Sequence, residues 1–176
     1  MERIWLVGTS GSGKTTLARR LSGRLDLPHL ELDAVFHQPG WTELPTDEFR
    51  ARVETFCADD RWVVCGKYGA VRDLIAARAD TIVCLDHARL RQTARVARRT
   101  VRRWVRREEL WNGNRESVRN LWPFGDRERS IVRWTWDNVP RARVLFDELE
   151  AAPTRRATLV RLRGWPEIDR FLAESS

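Results

Sequence analysis

Eight residues near the N-terminus, Gly8-Thr9-Ser10-Gly11-Ser12-Gly13-Lys14-Thr15, satisfy the spacing G-x-x-x-x-G-K-[ST] at every fixed position. Glycines let successive backbone N–H groups turn inward around an oxygen-rich anion. A helix that starts at such a loop aims the positive end of its dipole at the same anion. Gly8, Ser10, Gly11, Ser12, Gly13, Lys14, Thr15 and Thr16 are therefore the candidate residues for the phosphates of ATP. Lys14 would bring a mobile charge to the β- and γ-phosphates, and the Thr15 hydroxyl would ligate Mg²⁺.

A second concentration of chemistry lies between His87 and Arg107, with nine arginines and no acid. At helical spacing Arg95, Arg99, Arg103 and Arg107 share one face, and Arg98, Arg102 and Arg106 form an adjacent row. Like charges so close repel one another on an isolated helix. A phosphate partner accounts for such a row, because guanidinium groups bind phosphate bidentately. Asp33 follows a strand-like run and could orient or deprotonate an acceptor hydroxyl, or hold Mg²⁺ through water. Trp41, in a Pro-Gly loop nearby, could stack on an acceptor base. Asp86 ends an apolar run in the manner of a Walker B acid but reads as structural.

The composition sets outer limits. With 176 residues, 42% hydrophobic and 32% charged, the chain suits one domain with its own core and excludes collagen-like, low-complexity and disulfide-scaffold classes. No apolar run reaches the ~18–20 residues of a membrane span. No targeting layout opens the sequence, so a cytoplasmic location is expected. Cys57, Cys65 and Cys84 have no metal spacing and read as reduced core thiols. The net charge of +7 and the 30 arginines against two lysines, Lys14 and Lys67, favour anionic partners from nucleotides to nucleic acid.

The elements that must position these residues follow from periodicity. Short apolar runs at Arg3–Val7, Leu27–Asp33, Arg61–Gly66, Thr81–Asp86 and Thr158–Leu162 read as strands. Helical patterns lie between them: one from Lys14 to Leu25, one N-capped by Thr46, and one over Val71–Arg78. A long basic helix covers Arg89–Arg107, and further helices are expected over Glu128–Asn138, from Pro140, and from Pro166. Such alternation predicts an α/β fold with a parallel sheet covered on both faces.

Beyond the loop, several stretches resemble the adenylate kinase-like P-loop family, near the topology modulation protein (FlaR-related) group. They are Leu32-Asp33, Pro39-Gly40-Trp41, Trp62 to Tyr68, Arg78 to Asp86, Arg107 to Glu116 and Arg161-Leu162-Arg163. The resemblance implies a three-layer P-loop NTPase of nucleoside monophosphate kinase type over residues 1–176, with five parallel strands and a helical arginine-rich lid at about 95–125. It also implies that Arg99, Arg103 and Arg115 close on ATP and the transferred phosphate, with Arg163 beside the adenine. The relatives carry Asp-Gly-Asn-Tyr where this chain has Cys65-Gly66-Lys67-Tyr68. Mg²⁺ would then depend on Thr15, phosphates, water and Asp33, while Lys67 or Arg78 could contact an acceptor phosphate.

The expected activity is transfer of the ATP γ-phosphate to a small acceptor, first a nucleoside monophosphate, with catalysis by Lys14, Asp33, Arg99 and Arg103. Asp33, Trp41, Lys67, Arg78 and Arg115 are the expected acceptor residues. The alternatives are another hydroxyl acceptor of the shikimate or gluconate kind, and an ATP-binding protein associated with nucleic acid.

Overall fold

The computed structural model describes residues 1–116, 130–151 and 157–175. Five strands, β1 (Arg3–Val7), β2 (His29–Glu31), β3 (Trp62–Cys65), β4 (Thr81–Leu85) and β5 (Thr158–Leu162), form one parallel sheet in the order β2-β3-β1-β4-β5. The helices are α1 (Lys14–Leu25), α2 (Leu32–Phe36), α3 (Thr46–Cys57), α4 (Arg72–Arg78), α5 (Arg89–Arg106), α6 (Ile131–Ala151) and α7 (Trp165–Glu174).

The central strands are apolar on both faces because both faces are covered. Ile4, Leu6, Val63, Cys65, Val83 and Leu85 pack against Leu17 and Leu21 of α1 and Ile168 and Leu172 of α7. Trp5, Val7, Val64, Ile82 and Cys84 face the other way, onto Phe49 and Val53 of α3, Ile75 of α4 and Phe146 of α6. All three cysteines are buried free thiols. No described helix is long and apolar enough to cross a membrane.

Four sequence expectations change in detail. The second strand stops at Glu31, and Leu32 starts a five-residue helix, so Asp33 lies in a first helical turn and does not end a strand. An edge strand paired only to β3 needs few residues, and the fully buried Leu32 turns the chain inward under Gly66. Thr46 is the first helical residue of α3 and not its cap; Pro45 holds the cap position, and its carbonyl accepts the Phe49 N–H at 2.9 Å.

The two helices expected around Pro140 are one, because α6 runs through it. Proline removes the N–H that would bond the carbonyl four residues back. That carbonyl belongs to Trp136, and Arg89 Nε donates to it at 2.7 Å with its guanidinium 3.8 Å over the Trp136 ring. Part of the expected helix before Ile131 falls outside the described residues. Finally, α5 ends at Arg106 and Arg107 turns left-handed (φ 49°), so the segment expected as a helical lid continues as loop. Its final stretch, 117–125, also lies outside the described residues.

Candidate active site

The phosphate-type loop links the end of the central strand β1 to the start of α1, on the side of the sheet where the parallel strands end. Gly13 sits at the N-cap of α1 with φ 93°, a left-handed value that a side chain would strain. No side chain caps this helix, so its first N–H groups stay open to a ligand. Gly11 has φ 74°, and a Cβ there would lie 2.5 Å from Val96 Cγ2 of α5. The loop is thus clamped between its own helix and the arginine helix.

Side chains brace it from below and above. His87 lies 2.9 Å from the Ser12 carbonyl through Nε2. Burial, then the Arg95 charge, lowers the His87 pKa and favours neutral imidazole. From α5, Arg95 donates to the Gly11 carbonyl at 2.9 Å and Arg99 to Ser10 Oγ at 2.8 Å. Arg95 also lies 5.0 Å over the Trp165 ring, which would contact a Cβ on Gly13 at 3.2 Å. Among the described residues, Thr9 Oγ1, Ser12 Oγ and Arg99 Nε are buried with no hydrogen-bond partner. Unsatisfied polar groups of this kind are costly, and here two belong to the loop itself and the third to the arginine that donates to Ser10.

Lys14 donates to the Thr9 carbonyl at 3.0 Å. Burial lowers its pKa, opposed first by Asp33 and later by Glu31, while Arg99 adds to the lowering. These charges therefore share one site. Thr15 donates to Glu31 Oε1 at 2.7 Å. Glu31 also faces Arg19 at 3.8 Å. Burial and the nearby Glu31 charge push the Cys65 thiol up to about 12, so it remains protonated. Its sulfur is 3.3 Å from His29 Nε2. Thus Glu31, one strand over from Cys65 in register, is the acid beside Thr15.

Asp33 Oδ1 accepts a 2.6 Å hydrogen bond from the Tyr68 hydroxyl. Burial and Asp33 raise the Tyr68 pKa far above its ordinary value, so the phenol keeps its proton. The Tyr68 ring packs on Phe36 and Phe49, and its hydroxyl is 3.4 Å from His37 Nε2.

Loop 107–116 docks on the chain after α2. Asn112 Nδ2 donates to the Ala34 and His37 carbonyls at 3.1 and 2.6 Å. Asn114, buried, donates to the Gln38 carbonyl at 2.9 Å and accepts from the Trp41 N–H at 2.8 Å. The Trp41 indole N–H reaches the Arg115 carbonyl at 3.2 Å. The Trp41 ring meets His37 and Trp111 edge-on.

The expected site residues therefore divide. Gly8, Ser10, Gly11, Ser12, Gly13, Lys14, Thr15 and Thr16 form the loop and the helix start, joined by Arg99 and Asp33. Arg103 faces inward along the same helix but pairs with Glu108 and Glu116 at 3.9 and 3.7 Å. Arg98, Arg102 and Arg106 are exposed. Lys67 feels the Lys14 charge from the end of β3. Trp41 and Arg115 belong to the docked loop region, and the Arg115 guanidinium pairs with Glu109 at 3.7 Å. Arg163 is exposed on the turn before α7, beside Trp165.

Arg78 is not brought to the site. It precedes β4, at the end of the sheet where strands begin, and its guanidinium caps the Cys57 carbonyl at 2.7 Å. Asp86 is structural, as read: Arg143 and Arg161 each hold it at 2.8 Å. Burial acts to raise its pKa, but these hydrogen bonds outweigh it and keep the carboxyl below its ordinary value. Glu31, Tyr68, His87 and Asn114 carry contacts to which sequence spacing assigned no role, and Arg95, read as one of a phosphate-binding row, braces the loop at the Gly11 carbonyl.

A parallel sheet of this order, with the loop at the end of its central strand, is a P-loop NTPase fold of the kinase type. A family model for the AAA domain (AAA_33) matches residues 4–112, and the chain belongs to that family. Two solved structures share the fold. A shikimate kinase from Acinetobacter baumannii in complex with shikimate is 16% identical, with a TM-score of 0.57, over 99% of this chain and 90% of that one. A gluconokinase from Sinorhizobium meliloti 1021 is 18% identical, with a TM-score of 0.54, over 99% and 89% respectively. No curated protein matches the sequence.

Proposed function

We propose that this protein is an ATP-dependent kinase that phosphorylates a hydroxyl group of a small acceptor. The observation that carries this reading is the placement of Asp33, two residues after the Glu31 that meets Thr15 and braced on one oxygen by Tyr68. An alcohol needs a carboxylate to orient it and take its proton as it attacks phosphorus. The attacking oxygen of a nucleoside monophosphate is already ionised, and a carboxylate facing it would repel it. Asp33 therefore favours a hydroxyl acceptor over the nucleoside monophosphate expected first from sequence. The kinase fold and the adenylate kinase-like motifs support the donor half of the reading; the shikimate kinase and gluconokinase neighbours both act on hydroxyl compounds by name.

In this mechanism the loop N–H groups, Ser10 and Lys14 bind the phosphates of ATP, and Arg99 follows charge onto the transferred group. Unsatisfied Ser12 Oγ and Arg99 Nε fit a phosphate-rich ligand. The Thr15–Glu31 pair fits Mg²⁺: the hydroxyl would ligate the ion and Glu31 would hold its water shell, so that it neutralises phosphate charge. Arg95, Arg99 and loop 107–116 act as the lid. They touch the phosphate loop and the chain after α2 together, and so exclude water.

The test is ADP release with Mg-ATP across hydroxyl acids, polyols and nucleoside monophosphates. Release with hydroxyl compounds, lost in Lys14→Ala, supports the reading. Release with nucleoside monophosphates alone overturns the choice of acceptor. The exposed row Arg98, Arg102 and Arg106 favours nucleic-acid association as a second reading. A gel shift that weakens steeply with salt would support it.

A further inference from the structure

A cavity of about 260 Å³ opens between the chain after β3 and helix α6. Trp5, Lys67, Tyr68, Arg72, Arg141 and Glu148 are among its walls. Its charges are unbalanced. Arg72 has Glu148 as its partner at 3.5 Å. Lys67 and Arg141 form no hydrogen bond or ion pair among the described residues. The charges acting on Lys67 are those of Lys14 and Arg141, both positive, and with burial they lower its pKa. Arg141 is exposed, but holding the half-buried Lys67 ammonium on the same cavity wall is costly unless an anion joins them.

The cavity is also tied to the reaction centre. Tyr68 forms part of its wall and places its hydroxyl on Asp33. The same ring is fixed from behind by Phe36 and Phe49. A molecule with an oxyanion against Lys67 and Arg141 would lie against Tyr68, the wall residue whose hydroxyl reaches Asp33. The volume falls just under the range of roughly 300–1,000 Å³ for drug-sized ligands. It suits a compact group better than a base with its ribose.

We infer that Lys67 and Arg141 form an anion subsite that selects acceptors carrying a carboxylate or phosphate at the end remote from the reacting hydroxyl. This rests on the hydroxyl-kinase reading and narrows its substrate class to small hydroxy acids and phosphorylated polyols. Lys67 supplies a point charge at the cavity wall, and Arg141 a second one from α6.

The experiment uses matched pairs: gluconate against sorbitol, shikimate against its methyl ester, and glycerol 3-phosphate against glycerol. ADP release is measured for the wild type, Lys67→Met, Lys67→Arg and Arg141→Gln. Thermal shift with the same compounds is measured in Lys14→Ala, with and without Lys67→Met. The charged member of at least one pair is expected to be preferred at least about tenfold in kcat/KM, the scale of one lost charge-assisted contact. Lys67→Met is expected to raise KM for that member about tenfold with little change in kcat. Lys67→Arg should restore most of it, and Arg141→Gln should act in the same direction but less.

A preference for the carboxylates or for the phosphate compound identifies which oxyanion the subsite takes. Equal use of neutral and charged members overturns the subsite, as does an unchanged KM in both Lys67→Met and Arg141→Gln. If no compound releases ADP but a charged one stabilises Lys14→Ala only while Lys67 is present, the subsite stands and the transfer reading falls. No turnover and no stabilisation by any charged compound overturns the subsite as well.

Discussion

The phosphate loop is eight contiguous residues, Gly8 to Thr15, held by one strand and one helix. The side assigned to the acceptor is drawn from separate stretches: Glu31 to Trp41, Cys65 to Tyr68, Leu110 to Arg115, and Arg141 on α6. In the proposed reaction the loop would bind mainly with backbone N–H groups, so its specification is local and needs glycines at set places. The proposed acceptor side would bind with side chains whose positions depend on packing and on hydrogen bonds between distant segments. Damage to the first should therefore be confined and severe, whereas damage to the second should be graded and depend on the acceptor.

The largest effect separates the two sides cleanly. Lys14→Ala should lower kcat at least about 100-fold while leaving the fold intact, since removing one preorganised charge from transition-state stabilisation costs that much. Circular dichroism and steady-state ADP release check both halves. A variant that keeps its turnover would break the donor assignment.

Next comes Gly66→Ala, which strikes the acceptor side through the backbone. Gly66 has φ 145°, and a Cβ there would lie 2.7 Å from Leu32 Cβ. Strain and overpacking together should cost about 3 kcal/mol, read by urea unfolding. Because Leu32 leads directly into Asp33, the KM for acceptor should rise more than that for ATP.

Asp86→Asn serves as the comparison's neutral point, because it touches neither ligand. Removing the carboxylate takes the acid partner of Arg143 and one of the three acid partners of Arg161, and should lower stability by about 2 kcal/mol at neutral pH. The sign with pH follows from the depressed pKa. The pair contributes in full above the unfolded value of 3.8 and is lost as pH falls through the lower folded value. Wild-type and variant melting temperatures should therefore converge below pH 3.8. A constant gap would mean that the carboxylate charge is not what is lost.

Asn114→Ala sharpens the acceptor side alone. It removes two hydrogen bonds that fasten loop 107–116 to Gln38 and Trp41. Acceptor KM should rise about tenfold with ATP KM within twofold, about 1.4 kcal/mol on one side of the cleft. Equal changes in both would show that the loop serves the two sides together. The smallest effect, about 1 kcal/mol, is expected for Arg89→Met, which uncaps the Trp136 carbonyl without reaching either ligand.

The five strands were legible because buried strands write themselves as short apolar runs between turn residues. The helix break at Pro140 was misread for an equally physical reason. Proline opposes a helix locally, and the compensating donor, Arg89, lies 47 residues away in sequence. The sequence marks Asp33 by its type but puts it at a strand end; its helical setting depends on Leu32 packing under Gly66. Arg78 shows the reverse error. A basic residue beside a recognisable motif looked functional, yet the parallel strand order puts it at the far end of the sheet.

What this sequence determined by itself is the chemistry that a contiguous backbone can encode: the phosphate loop, the helix behind it, the arginine rows, and the alternation that makes a parallel sheet. Tertiary structure alone decided that Glu31 meets Thr15, that Tyr68 braces Asp33, and that Lys67 and Arg141 border one cavity. The physical reason is range. Dihedral preference and periodicity act over a few residues, whereas a side-chain site exists only once packing has brought distant segments within a hydrogen bond's reach.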